Sequence, residues 1–131
     1  MTPTSATRPI EAGLFELHDD GTIDLVGGFS PSSGLYHFPL LDMCPYRGAD
    51  DVERVLLSRD ATLWAWTAVT AAPPGYEGPV PYGFGIVELT RERLRIVTRL
   101  TEPDPSRLAF GQPMTLVADE LPDGVVTWAF T

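Results

Sequence analysis

The 131-residue chain sets 18 Asp and Glu against nine arginines and no lysine, a formal charge of −9. Such a surface repels phosphate backbones, because non-specific nucleic-acid affinity comes from Lys and Arg neutralising phosphate charge, and 44% hydrophobic residues exclude a disordered composition. A single cysteine excludes an internal disulfide and fits a reducing cytoplasm, and no apolar run reaches the ~18 residues of a membrane helix.

In chain order, residues 1–12 read as a flexible leader without an apolar signal core. Leu14 to Leu17 and Thr22 to Val26 then alternate around His18-Asp19-Asp20-Gly21, and Asp-Gly predicts a hairpin turn. Residues 13–50 form a small β-ribbon on this reading. Within it, Ser30-Pro31-Ser32-Ser33-Gly34 and Cys44-Pro45-Tyr46-Arg47-Gly48 stand where a zinc ribbon carries two C-x-x-C-G knuckles. A structural zinc needs about four thiolate or imidazole donors. Ser30, Ser33, Cys44 and Arg47 offer two hydroxyls, one thiol and a guanidinium that cannot deprotonate, so no metal is expected.

From residue 51 to 131 the alternation predicts a second β unit. Leu63, Ala65, Thr67 and Val69 share one strand face, and Trp64 and Trp66 share the other, because side chains alternate at period two. A loop from Ala72 to Pro81 leads into Tyr82 to Leu89. Arg93, Arg95 and Arg99 then stand on one face of the strand that buries Leu94, Ile96 and Leu100. Pro105 suits a single helical turn, because the proline nitrogen lies where a helix start needs no donor. Phe110 to Met114 and a last strand ending at Trp128 and Phe130 complete the chain.

No constellation of catalytic residues emerges. Cys44 lacks an adjacent base in sequence and reads as a knuckle relic packed as a small apolar side chain; its catalytic alternative would need His37 to approach it in space. His18 and His37 are too few for a metal site, and Asp19-Asp20 and Asp50-Asp51 lie in predicted turns, where carboxylates serve as solvated caps. Two features remain. The arginine row offers planar forks matched to phosphate or carboxylate, against the plainer reading of a solvated face laced to Glu88 and Glu92. The loop Pro73-Pro74-Gly75-Tyr76 to Tyr82 puts two tyrosines on a proline-stiffened segment, and aromatic side chains are favoured at interface centres.

Six phrases in sequence order carry a resemblance: Phe38-Pro39, Cys44-Pro45-Tyr46-Arg47-Gly48, Trp66-Thr67, Pro73-Pro74-Gly75-Tyr76 with Pro81-Tyr82, Val87-Glu88-Leu89, and Phe110-Gly111-Gln112-Pro113-Met114. The chain resembles the acyl-CoA-associated small proteins that join a rubredoxin-like zinc ribbon to an OB-fold and partner thiolase-superfamily enzymes. It departs from their pattern in lacking three ligands and a clear N-terminal helix. The resemblance implies a mainly β chain, a degenerate zinc-free ribbon followed by a five-stranded OB-fold barrel. It also implies a cytoplasmic, non-catalytic accessory subunit in a hetero-oligomer with a thiolase-like enzyme, without membrane or nucleic acid, acyl-CoA being shared with that partner. Expected contacts are Phe29, Tyr46, Arg47, Tyr76 and Tyr82 for the partner, and Arg93, Arg95 and Arg99 for CoA phosphate or acidic partner groups. The alternative is an OB module binding single strands through Trp64, Trp66 and Tyr82.

Overall fold

The computed structural model describes residues 8–122 and 124–131. Residues 1–7 of the expected leader lie outside the described residues. The chain is already strand at β1 (Arg8–Pro9), which pairs in parallel with the last strand through Arg8↔Val125.

The Asp-Gly hairpin forms as its sequence predicts. Gly21 takes φ 86°, and the Asp20 carboxylate accepts from the Thr22 amide at 3.0 Å and the Thr22 hydroxyl at 2.6 Å. On its two sides β2 (Phe15–Leu17) and β3 (Ile23–Ser30) pair antiparallel. β3 also carries β4 (Leu35–His37) and β5 (Glu53–Leu56), so the first sheet reaches past residue 50. Gly28 has no side chain because the His37 ring lies across the strand there, and any Cβ would collide with it.

The second sheet is a closed barrel. β6 (Asp60–Val69), β7 (Tyr82–Leu89) and β8 (Leu94–Leu100) form an antiparallel meander; β9 (Pro113–Glu120) and β10 (Val125–Phe130) follow. β10 pairs with both β8 and β9, and β9 returns to β6, closing five strands in the OB-fold arrangement expected. Between β8 and β9 one 3₁₀ turn spans Pro105–Arg107, with Asp104 capping it by accepting from the Ser106 amide at 3.0 Å.

One apolar core joins the two sheets: Phe15, Ile23 and Leu25 pack with Leu63, Val87, Leu89 and Phe130. The expected shared face of Trp64 and Trp66 is overturned. A bulge between Leu63 and Ala65 inserts one residue, and a one-residue shift reverses every following side chain. Trp64 faces outward, whereas Trp66 turns toward the core opposite Gly85 and donates its indole N–H to the Pro105 carbonyl at 3.0 Å. Among the described residues no helix is long and apolar enough to cross a membrane.

Candidate functional site: a serine-cysteine knuckle and the barrel mouth

The two knuckle segments fold into turns of the same form. The Ser30 carbonyl accepts from the Gly34 amide at 2.8 Å and the Cys44 carbonyl from the Gly48 amide at 2.8 Å, with Gly34 at φ 70° and Gly48 at φ 72°. Both glycines occupy the left-handed region that closes such turns. The turns converge on Cys44, which is buried. Its thiol is pulled down to about 7, first by the Ser30 hydroxyl and then by the Tyr46 and Arg47 amides and the Ser33 hydroxyl, against burial, which raises it. Cys44 is packed at 2% exposure, with the Ser30 turn beside its sulfur. The Ser30 hydroxyl donates to Asp51 Oδ1 at 2.6 Å, while the Ser32 amide donates to Asp51 Oδ2 at 2.7 Å. Arg47 contributes its amide, and its side chain stays exposed. One thiol, two hydroxyls and an exposed guanidinium do not fit tetrahedral zinc, and no group of three His, Cys, Asp or Glu converges among the described residues.

Around this knuckle the chain exposes apolar side chains. Leu35, Leu41, Met43 and Tyr46 are between 43% and 53% exposed. Tyr46 donates its hydroxyl to the Tyr36 carbonyl at 2.7 Å, and the Phe29 and Tyr36 rings meet at 4.8 Å. The aromatic side chains are thus fixed in orientation while much of the apolar surface stays in water.

The arginine row is divided by the fold. Arg93 precedes β8 in a turn residue with φ 56° and makes no ion pair among the described residues. Arg95 pairs with Glu88 at 3.0 Å and lies 4.0 Å above the Trp64 ring. At the far end Arg99 donates to Asp119 at 2.9 Å and stacks 4.4 Å from Tyr82 and 5.4 Å from Tyr76. Glu92 is not a rim partner: it is buried, and its carboxylate accepts from the Ser58 amide at 2.7 Å. The stacking platforms of the nucleic-acid alternative do not share one face: Trp64 points outward with Arg95 over its ring, Trp66 faces inward, and Tyr82 stacks with Arg99 beside the 70–81 loop.

Tyr76 and Tyr82 meet at 5.0 Å, and Tyr76 donates to the Pro79 carbonyl at 2.7 Å, which folds the 70–81 loop over the barrel mouth. Beneath it lies a cavity of about 370 Å³ walled by Pro74, Tyr76, Tyr82, Phe84, Leu121 and Pro122, with Arg99 at its wall. The expected arginine row and tyrosine loop meet here. Their shared cavity was not legible, since its walls come from segments far apart in sequence.

Two further polar arrangements are structural. Asp24 takes Arg59 at 2.7 and 3.0 Å and His18 at 2.8 Å, so the Arg59 guanidinium first and His18 second hold its carboxyl below the usual range. His37 is buried and accepts from the Leu41 amide at 3.3 Å; it is not among the groups that hydrogen-bond Cys44, so the proposed nucleophile and base do not meet. Burial pushes the His37 pKa below its usual 6.5. The unfolded chain then binds the extra proton first, so stability is complete above about pH 6.5 and falls as pH drops toward the lower folded value. His37→Gln should flatten that segment of a stability-versus-pH curve measured by urea denaturation, and an unchanged slope would contradict it.

Residues 54–119, half of the chain, match the family described as ChsH2, C-terminal OB-fold domain. A "DUF35 domain-containing scaffold protein" of Pyrococcus furiosus is 24% identical over 127 residues, covering 94% of this chain and 92% of the relative. Another of the same description from Methanocaldococcus jannaschii is 27% identical over 111 residues, covering 81% and 78%. A solved structure titled "Ltp2-ChsH2(DUF35) aldolase" superposes with a TM-score of 0.64 at 25% identity, covering 82% of this chain and 83% of that one. With barrel strands β6, β7, β8 and most of β9 inside the matched residues, the chain belongs to the ChsH2 C-terminal OB-fold domain family.

Proposed function

We propose that this chain is a non-catalytic accessory subunit that docks on a thiolase-like enzyme acting on acyl-CoA substrates. The observation that carries the reading is likeness over most of the chain to a protein whose title couples ChsH2(DUF35) with Ltp2 in an aldolase. The scaffold description of the two archaeal relatives supports it. The site's chemistry agrees: among the described residues no histidine hydrogen-bonds Cys44, and the Asp20 and Asp51 carboxylates are taken up by turn hydrogen bonds from Thr22 and from Ser30 and Ser32. The exposed knuckle surface of Leu35, Met43 and Tyr46, with Phe29 and Arg47 beside it, is the docking face. Tyr76 and Tyr82 act at the barrel mouth. Of the arginine row, Arg93 is the member left to meet a CoA phosphate or an acidic partner group, because Arg95 and Arg99 are already matched by Glu88 and Asp119.

Turnover tests the assignment of chemistry. The isolated chain should neither cleave nor condense acyl-CoA, whereas the partner's turnover should rise when this chain is added. Turnover by the chain alone that is lost in Cys44→Ala would place the chemistry here instead.

A further inference from the structure

An OB-fold presents its ligand site between the loop joining its first two strands, the loop joining its last two, and the face of its second and third strands. In this chain those elements are the 70–81 loop, the turn around Leu121-Pro122, and the outer face of β7 and β8, and together they wall the 370 Å³ cavity. That volume exceeds twice the ~150 Å³ of an apolar cavity that holds benzene, and lies within the about 300–1,000 Å³ of small-molecule sites. Its chemistry differs from that of a phosphate-binding groove. Pro74, Tyr76, Tyr82, Phe84, Leu121 and Pro122 present hydrocarbon or ring faces. Arg99, the one cation among the described residues of the lining, is neutralised by Asp119 at 2.9 Å and closed in by two tyrosine rings, and Glu77 adds a carboxylate. An anion entering here would meet the Glu77 carboxylate and a guanidinium already paired with Asp119, and so would gain little attraction and be repelled by Glu77 at short range.

We propose that this cavity binds the neutral hydrocarbon portion of a small molecule and rejects its charged end. Arg99 serves there as a positioned wall, held by its bond to Asp119 and by its stack against Tyr76 and Tyr82, whose rings meet at 5.0 Å. The site has the location of an OB nucleotide groove with its charge cancelled and its walls made apolar. On the accessory-subunit reading the guest is the acyl end of the partner's substrate, whose phosphates stay outside the cavity.

The test titrates the 131-residue chain alone with decan-1-ol and with decanoate below its micelle concentration, by calorimetry and by the ring resonances of Tyr76 and Tyr82. Decan-1-ol should bind at least tenfold more tightly than decanoate and shift both tyrosine rings. Leu121→Trp, which fills the cavity, should abolish binding with the circular dichroism unchanged. Asp119→Asn, which uncovers the Arg99 charge, should raise decanoate affinity about tenfold. Equal or tighter decanoate binding by the natural chain would overturn the proposal. So would no decan-1-ol binding up to its solubility, unshifted tyrosine rings, binding that survives Leu121→Trp, or no gain in decanoate affinity in Asp119→Asn. Because no partner is present, these failures are distinguishable from a failure of the chain to associate.

Discussion

Phe130→Ala should remove about 3–5 kcal/mol of folding free energy, the usual cost of deleting a buried aromatic ring and leaving its cavity. Phe130 is 0% exposed and stands in β10, opposite Leu116 of β9 and Leu100 of β8. It therefore fills the core at the strand that closes the barrel, where neither neighbouring strand can move inward without breaking its ladder to β6 or β7. Since a domain of this kind has only about 5–15 kcal/mol in total, the variant should be partly unfolded at 37 °C. The check is the urea midpoint with an unchanged slope; a loss under about 1 kcal/mol would show that the ring is not central to the core.

Leu35→Asp with Met43→Asp should weaken association with the partner enzyme about 100-fold or more, with little change in the melting temperature of the isolated chain. Leu35 is 47% and Met43 53% exposed, so neither carries the chain's own core, and surface substitutions of this kind change stability by only about 0.5 kcal/mol. At an interface the same side chains would be desolvated, and anchors near its centre cost about 2 kcal/mol or more each when lost. Two new carboxylates add an unpaired-charge penalty in a chain already at −9. Surface plasmon resonance against the immobilised partner measures the ratio. Undiminished affinity would move the docking face away from the knuckle.

Much of the fold was legible because its signals are local. Asp20-Gly21 specifies a hairpin by backbone conformation, and Pro105 after Asp104 specifies a capped turn. The order of short phrases from Phe38 to Met114 carried the barrel. The Ser30 and Cys44 segments were matched as turns because Gly34 and Gly48 follow each at the same spacing. The rest depends on contacts that sequence does not mark. No residue type announces the bulge beside Trp64, and without it the period-two rule puts Trp66 on the wrong face. The Asp24–Arg59 and Arg99–Asp119 pairs join residues 35 and 20 positions apart. Glu92 reads as a solvated turn charge, yet the Ser58 amide draws it inside.

On the proposed reading, this chain works by binding an enzyme. Co-expression with the thiolase-like partner, followed by size-exclusion chromatography with light scattering, tests it most directly. One peak containing both chains is expected, with a mass fitting two copies of this chain on a partner dimer, and its loss with Leu35→Asp and Met43→Asp. Elution of the natural chain as a monomer, apart from the partner, would contradict it.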